Sequence, residues 1–310
     1  MNLLYRKREP DSISVRNGFS GIIQEKGEGM EGKVLCLGLI VGDFLVKPIE
    51  KFPERGKLVL VERTELHLGG CAVNAGVVLK KLGIEVGIMG KVGNDNLGNF
   101  ILHKLSEEGI DISSIKVDSS VSTSGTSVLI HKDGERSFLH SIGANSSISL
   151  KDIDLEYISK FSVLHIAGAL LMPGFDGKPM ANLAEEVKKK GVILTLDTAW
   201  DFYGRWFEVL KDVFPFVDYF LPSIEEARMI TGRENPEDIC RFLLKCGVKN
   251  VCLKMGEKGS FIMNEKEKYY FPPLKINVVD TTGAGDGLSL IHISEPTRPL
   301  YISYAVFCLK

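Results

Sequence analysis

Val34-Leu35-Cys36-Leu37-Gly38-Leu39-Ile40 is an apolar run that follows the charged Lys33 and stops short of Gly42-Asp43. An unbroken run of this length between turn residues reads as a strand buried on both faces. Working outward, 72–82 reads as an apolar helix closed by Gly83, and 85–89 as the next strand. Residues 97–108 are amphipathic and end at Gly109, the residue type that closes helices most readily. Strand-like segments follow at 163–167, 192–196, 219–221, 251–254 and 260–263, with helical stretches at 180–190 and 236–246. The alternation predicts an α/β fold, a mostly parallel sheet with helices on both faces.

Two regions break that rhythm. Residues 44–68, and 124–140 with the hairpin signal Asp133-Gly134, read as antiparallel strands of a small projecting β-sheet. The lid so defined runs from about 44 to 68 and 116 to 142. A cover over a cleft is one use for it, and a homodimer face is another.

Composition narrows the function classes. Of 310 residues 44% are hydrophobic and 25% charged, so the chain is long enough for a large core. The formal net charge of -2 gives no general attraction to nucleic acid or an anionic membrane. Cysteines at 36, 71, 240, 246, 252 and 308 form no Cys-x-x-Cys pair, which points away from structural zinc and toward a reducing, cytoplasmic setting. Arg6, Lys7, Arg8 and Glu9 stand where a signal peptide needs an apolar run.

The two ends read differently from the middle. Residues 1–29 are polar and aperiodic, a leader expected to be disordered, or the product of a start placed too early upstream of Met30. Gly27-x-Gly29-x-x-Gly32 matches a dinucleotide fingerprint only formally, because it precedes a strand instead of following one. Residues 288–298 and 302–309 back-translate to the two segments of a short-read sequencing adaptor, so 288–310 is expected to be a non-native tail on a truncated frame. A chain ending so is expected to be weak or inactive.

Two glycine turns carry the chemistry. Gly69-Gly70-Cys71-Ala72-Val73-Asn74 lets a ligand approach the backbone and adds an amide donor and acceptor, although a tight strand-to-helix turn explains it equally. Asp280-Thr281-Thr282-Gly283-Ala284-Gly285-Asp286 suits a loop whose N–H groups face a phosphate, with an acid at the first turn of the next helix. A Walker loop is absent.

With both turns in this order, residues 30–287 closely resemble the ribokinase-like carbohydrate kinases of the phosphofructokinase-B type. The resemblance implies ATP and Mg2+ as cofactors and a small sugar or nucleoside as substrate. It implies Asp286 as the base that deprotonates a hydroxymethyl group, and Gly283, Ala284 and Gly285 as an anion hole. Asp43, Gly69, Gly70 and Asn74 would grip sugar hydroxyls. Glu226 would orient hydrated magnesium, although Ser223 replaces the amide of the family's Asn-x-x-Glu. Gly256 and Gly259 would lie beside the nucleotide. Val41, Cys71 and Ala144 stand where kinases of ribose itself carry Asn, Lys and Glu, so another sugar, sugar acid, sugar phosphate or nucleoside is expected. Arg136 and Asp197 are candidates for outer contacts, though a structural charge suits each better. The other class of reading is a non-catalytic sugar or nucleotide sensor, which has no need of Asp286.

Overall fold

The computed structural model describes residues 32–132, 134–273 and 285–286. The expected leader (1–29), the expected tail (288–310), Asp133, Gly283 and Ala284 lie outside them.

The chain opens with β1 (Lys33–Gly38), β2 (Val41–Ile49), β3 (Arg63–Gly69), α1 (Cys71–Lys81), β4 (Glu85–Gly93), α2 (Asn96–Glu107) and β5 (Asp111–Asp118). It continues through β6 (Gly125–His131), β7 (Arg136–Ser141), the short α3 (Leu155–Ile158), β8 (Val163–Ala169), α4 (Lys178–Lys189) and β9 (Ile193–Thr198). The last part is α5 (Trp206–Leu210), β10 (Tyr219–Phe220), α6 (Ile224–Thr231), α7 (Pro236–Lys245), β11 (Asn250–Lys254), β12 (Ser260–Asn264) and β13 (Lys268–Phe271).

Nine strands form the main sheet in the order β13-β12-β11-β10-β9-β8-β1-β4-β5. Pairings from β5 through to β11 are parallel, and only the β11–β12 and β12–β13 pairings are antiparallel. The expected α/β class is therefore the observed one. The opening run is buried throughout: Leu35 and Leu37 join one core cluster while Val34 and Cys36 join the other. Alternate side chains of a strand point to opposite faces, so β1 is covered on both sides. Each fully buried Leu or Ile contributes roughly 1.5–3 kcal/mol.

Strand order reverses at β1, which has β4 on one side and β8 on the other. In an open parallel sheet such a reversal leaves a crevice outside the strands' carboxyl ends. The chain uses that point to leave the sheet for the lid, a four-stranded sheet in the order β3-β2-β6-β7. The lid differs from expectation in two respects. Residues 116–118 belong to β5 in the main sheet, and β2 pairs with β6 in parallel, through a crossover. β5 is an edge strand with a mostly exposed face, which disguised it as lid.

Lys91, near the carboxyl end of β4, is 7% exposed. Its Nζ lies 3.0 Å from Asp152 and 3.5 Å from Asp118, and donates to the Ser147 carbonyl at 2.9 Å. The ammonium thus ties segment 143–152 to the sheet. Lys91→Ala should cost about 3 kcal/mol in urea denaturation, because it strands partly buried acids. Adding Asp152→Asn should recover part of the loss.

Candidate active site

The site begins where β3 turns into α1. Gly70, the N-cap of α1, has φ +91°, and a Cβ there would strike the Leu39 carbonyl at the end of β1. Ala72 N–H donates to that same carbonyl at 3.2 Å, so the helix start is laced directly to the central strand. A Cβ on Gly69 would occupy the space of the Asp43 carboxylate. The glycine pair thus lets β2's acid and α1's first turn share one corner. Buried Asn145 supports the corner: its amide accepts from Ile40 N–H and donates to the Ile40 carbonyl, both at 3.1 Å.

Asn74, in the first turn of α1, donates from Nδ2 to Asp286 Oδ2 at 2.9 Å. Gly285 and Asp286 are helical, as expected for the acid after the glycine turn. Burial raises the Asp286 carboxyl to about 6 and the Asp197 charge adds to the rise, while Lys254 and hydrogen bonds from Asn74 and Cys71 oppose it. Burial also raises the Asp43 carboxyl, against a hydrogen bond from Thr126 and the charge of His67.

A second group stands at the carboxyl ends of β9, β10 and β11. Lys254 Nζ holds both Asp197 oxygens, at 2.8 and 2.6 Å. Glu226 Oε2 accepts from Ser223 N–H at 2.9 Å and from Thr198 Oγ1 at 3.1 Å, while Ser223 Oγ accepts from Glu226 N–H at 3.2 Å. Ser223-x-x-Glu226 is thus a capping box at the start of α6, and the serine that departs from the family's amide caps the helix. Burial, then the Asp197 charge, raises the Glu226 carboxyl. Among the described residues no three His, Cys, Asp or Glu side chains gather as a metal cluster. That is compatible with magnesium, which keeps several waters and takes one or two protein carboxylates. Gly256 (φ +56°) and Gly259 (φ +82°) shape the turn from β11 into β12, where Met255 N–H donates to the Gly259 carbonyl at 2.9 Å. As hairpin residues both are accounted for by the turn itself.

Two features escaped sequence reasoning. One is the Asp197–Lys254 pair, since a strand list does not say which strand ends meet. The other is a polar row on the lid: His67, Asp43, Thr126 and His140 are successive register partners across β3, β2, β6 and β7 and share a face. Thr126 Oγ1 lies 3.0 Å from His140 Nδ1. Arg136 is on the same face of β7 as His140, at the strand's far end, opposite Ile130. The other described histidines pair locally: His103 with Glu107, His131 with Ser137 and buried His165 with Thr195. No helix among the described residues is long and apolar enough to cross a membrane.

Comparisons with known proteins identify the family and the fold. The model of the pfkB family carbohydrate kinase matches residues 31–289. A 2-dehydro-3-deoxygluconokinase of Bacillus subtilis is 28% identical over 253 residues, 78% of this chain and 78% of that protein. An ATP-dependent 6-phosphofructokinase of Thermoanaerobacterium thermosaccharolyticum is 31% identical over 255 residues, covering 80% of this chain and 77% of its own. The structure of Arabidopsis thaliana ribokinase complexed with ribose and ATP superposes with a TM-score of 0.73 at 24% identity, covering 89% of this chain and 90% of that one. None of these matches supports the truncation or the adaptor origin expected for the tail. With the family match running through both glycine turns and everything between them, the chain belongs to the pfkB family of carbohydrate kinases.

Proposed function

We propose that this carbohydrate kinase transfers the γ-phosphoryl group of ATP to the hydroxymethyl group of a small sugar or sugar derivative, with Asp286 as general base. The observation that carries the reading is the partly buried Asp286 carboxyl, hydrogen-bonded to Asn74 of the glycine turn and raised to about 6. A base with a pKa near the working pH balances deprotonated fraction against proton affinity. Asp286 takes the hydroxyl proton as the oxygen forms its bond to the γ-phosphorus. The bond to the bridging oxygen breaks, and ADP leaves. Backbone N–H groups of Gly283, Ala284 and Gly285 would meet the charge on the transferring group, each donor worth about 3–4 kcal/mol. Glu226 would hold magnesium through water, and Gly256 and Gly259 would border the nucleotide. The bound ion supplies neutralisation of phosphate charge.

The polar lid row and the Gly69-Gly70 corner favour a polyhydroxylated acceptor, with Asp43 as its main anchor. Val41 and Ala144 are buried at 3% and 0% exposure, so neither position offers a polar contact to ribose. A sugar other than ribose therefore suits the site better.

The lid also supports a homodimer. Leu66, Phe44, Ser127 and Leu139 are register partners on the face opposite Asp43, with Phe44 43% and Leu139 55% exposed. Exposed Leu66, Phe44 and Leu139 on one face favour an interface there. Sedimentation should show a dimer that Phe44→Asp with Leu139→Asp converts to monomer. A monomeric parent would refute this.

ADP release against a panel of sugars and nucleosides tests the activity itself. Release with sugars supports the reading, and release confined to nucleosides replaces it with a nucleoside kinase. Asp286→Asn should lower turnover by about 10²–10⁴-fold while sugar binding by calorimetry persists. Retained turnover would leave a site whose base lies elsewhere. Wild-type turnover should fall as pH drops through about 6, where Asp286 takes up its proton. The same substitution should stabilise the fold at pH 8, by roughly 2–3 kcal/mol from a carboxyl raised from 3.8 to about 6. The sign follows from the raised value: the native state binds the proton more tightly, so wild type loses stability as pH rises from about 4 to 6. The difference between the two proteins should vanish toward pH 4.

A further inference from the structure

We infer that the Asp197–Lys254 ion pair is a positioning pair for phosphoryl transfer, strapping β9 to β11 and setting the charge felt by Asp286. The inference rests on Asp286 being the base.

The geometry is that of a strap. In the sheet, β10 lies between β9 and β11. Neighbouring strands are about 4.8 Å apart, so β9 and β11 are separated by about 10 Å. β10 is only Tyr219–Phe220, and past its end the chain runs through Pro222 and Ser223, whose backbone pairs with Lys254 as an isolated parallel bridge. Lys254 N–H donates to the Pro222 carbonyl at 3.0 Å, and its long side chain reaches Asp197 over that ending. Thr198 N–H adds a hydrogen bond to Asp197 Oδ1 at 2.8 Å, and Thr198 Oγ1 carries the network on to Glu226. Three strand ends, the start of α6 and the Gly256 turn are thereby fixed to one another.

Stability alone is a weak reason for such a pair. Its side chains are 2% and 12% exposed. A buried ion pair seldom outperforms a well-packed apolar replacement, because desolvation offsets its attraction. Its position offers a better one. The groups acting on Asp286 are Asp197 from β9, Lys254 from β11, and Asn74 and Cys71 from α1. Glu226 of α6 acts on Lys254, and His165 of β8 sits beside the pair but is held neutral, its burial lowering it to about 4. Burial disfavours the Lys254 ammonium, but Asp197, Glu226 and Asp286 together hold it above the usual lysine value. Within this set one ammonium faces three carboxylates. On this arrangement, removing either member of the pair should move Asp286 in a definite direction.

The test reads Asp286 directly, without a substrate. Carbon-13 NMR of protein labelled at aspartate carboxyls follows its titration, the signal being assigned by its loss in Asp286→Asn. Lys254→Met should raise the Asp286 midpoint and Asp197→Asn should lower it, each by about one pH unit. The double substitution should return it near wild type. Opposite shifts support the inference, since a merely structural pair would move both variants alike or neither. Unmoved midpoints, or shifts of the same sign, overturn it. If Lys254→Met does not fold, Asp197→Asn decides alone, because the amide can still accept from Thr198 N–H: a lowered midpoint supports the pair, and an unchanged or raised one refutes it. Turnover of Asp286→Asn separately judges the base, so failure of the pair and failure of the kinase chemistry are told apart.

Discussion

The site depends on a carboxylate drawn partly out of water. Asp286 is raised to about 6 because its surroundings solvate it poorly and Asp197 repels it. It is kept from rising further by Asn74 and by Lys254, groups delivered by α1 and β11. The groups that act on it come from β9, β11 and α1. The reversal of strand order at β1 opens the crevice, and the Gly69-Gly70 turn swings α1 into it. The capping box at Ser223 and Glu226 fixes the acidic rim. A carboxylate in such a place costs the fold stability, a common exchange of stability for function.

The two faces of the lid differ in chemistry. A polar row beginning at His67 and ending at His140 shares Asp43's face, while the row of Leu66, Phe44, Ser127 and Leu139 looks the other way. Period-two alternation in a sheet makes this division almost free, since one residue's slip in register would exchange the two faces. On the proposed function, the same strands would meet a sugar on one side and a second copy on the other.

Much of the fold was legible in the residues because buried parallel strands leave continuous apolar runs. 34–40 and 163–167 are of that kind, and α1, α2, α4 and α7 fall within about two residues of their expected bounds. β5 was blurred by its exposed edge. The glycine turns and Asp286 announced themselves through spacing, and Asn74 and Asp286 do meet. The Ser223-x-x-Glu226 capping box was available in the sequence as a Ser followed three residues later by Glu, but the metal reading of the same residues hid it. The Asp197–Lys254 strap and the polar lid row were not legible. Both depend on which strands lie side by side and in what register, and that is decided by the packing of the whole sheet.

The most direct test of the account is to identify the atom that receives phosphate. Carbon-13 and phosphorus-31 NMR of the product formed from ATP and an accepted sugar would show it. Carbon–phosphorus coupling is expected at the hydroxymethyl carbon, with product from Asp286→Asn forming about 10²–10⁴-fold more slowly. Phosphate on a ring hydroxyl, or the same product formed as fast without the Asp286 carboxylate, would contradict it.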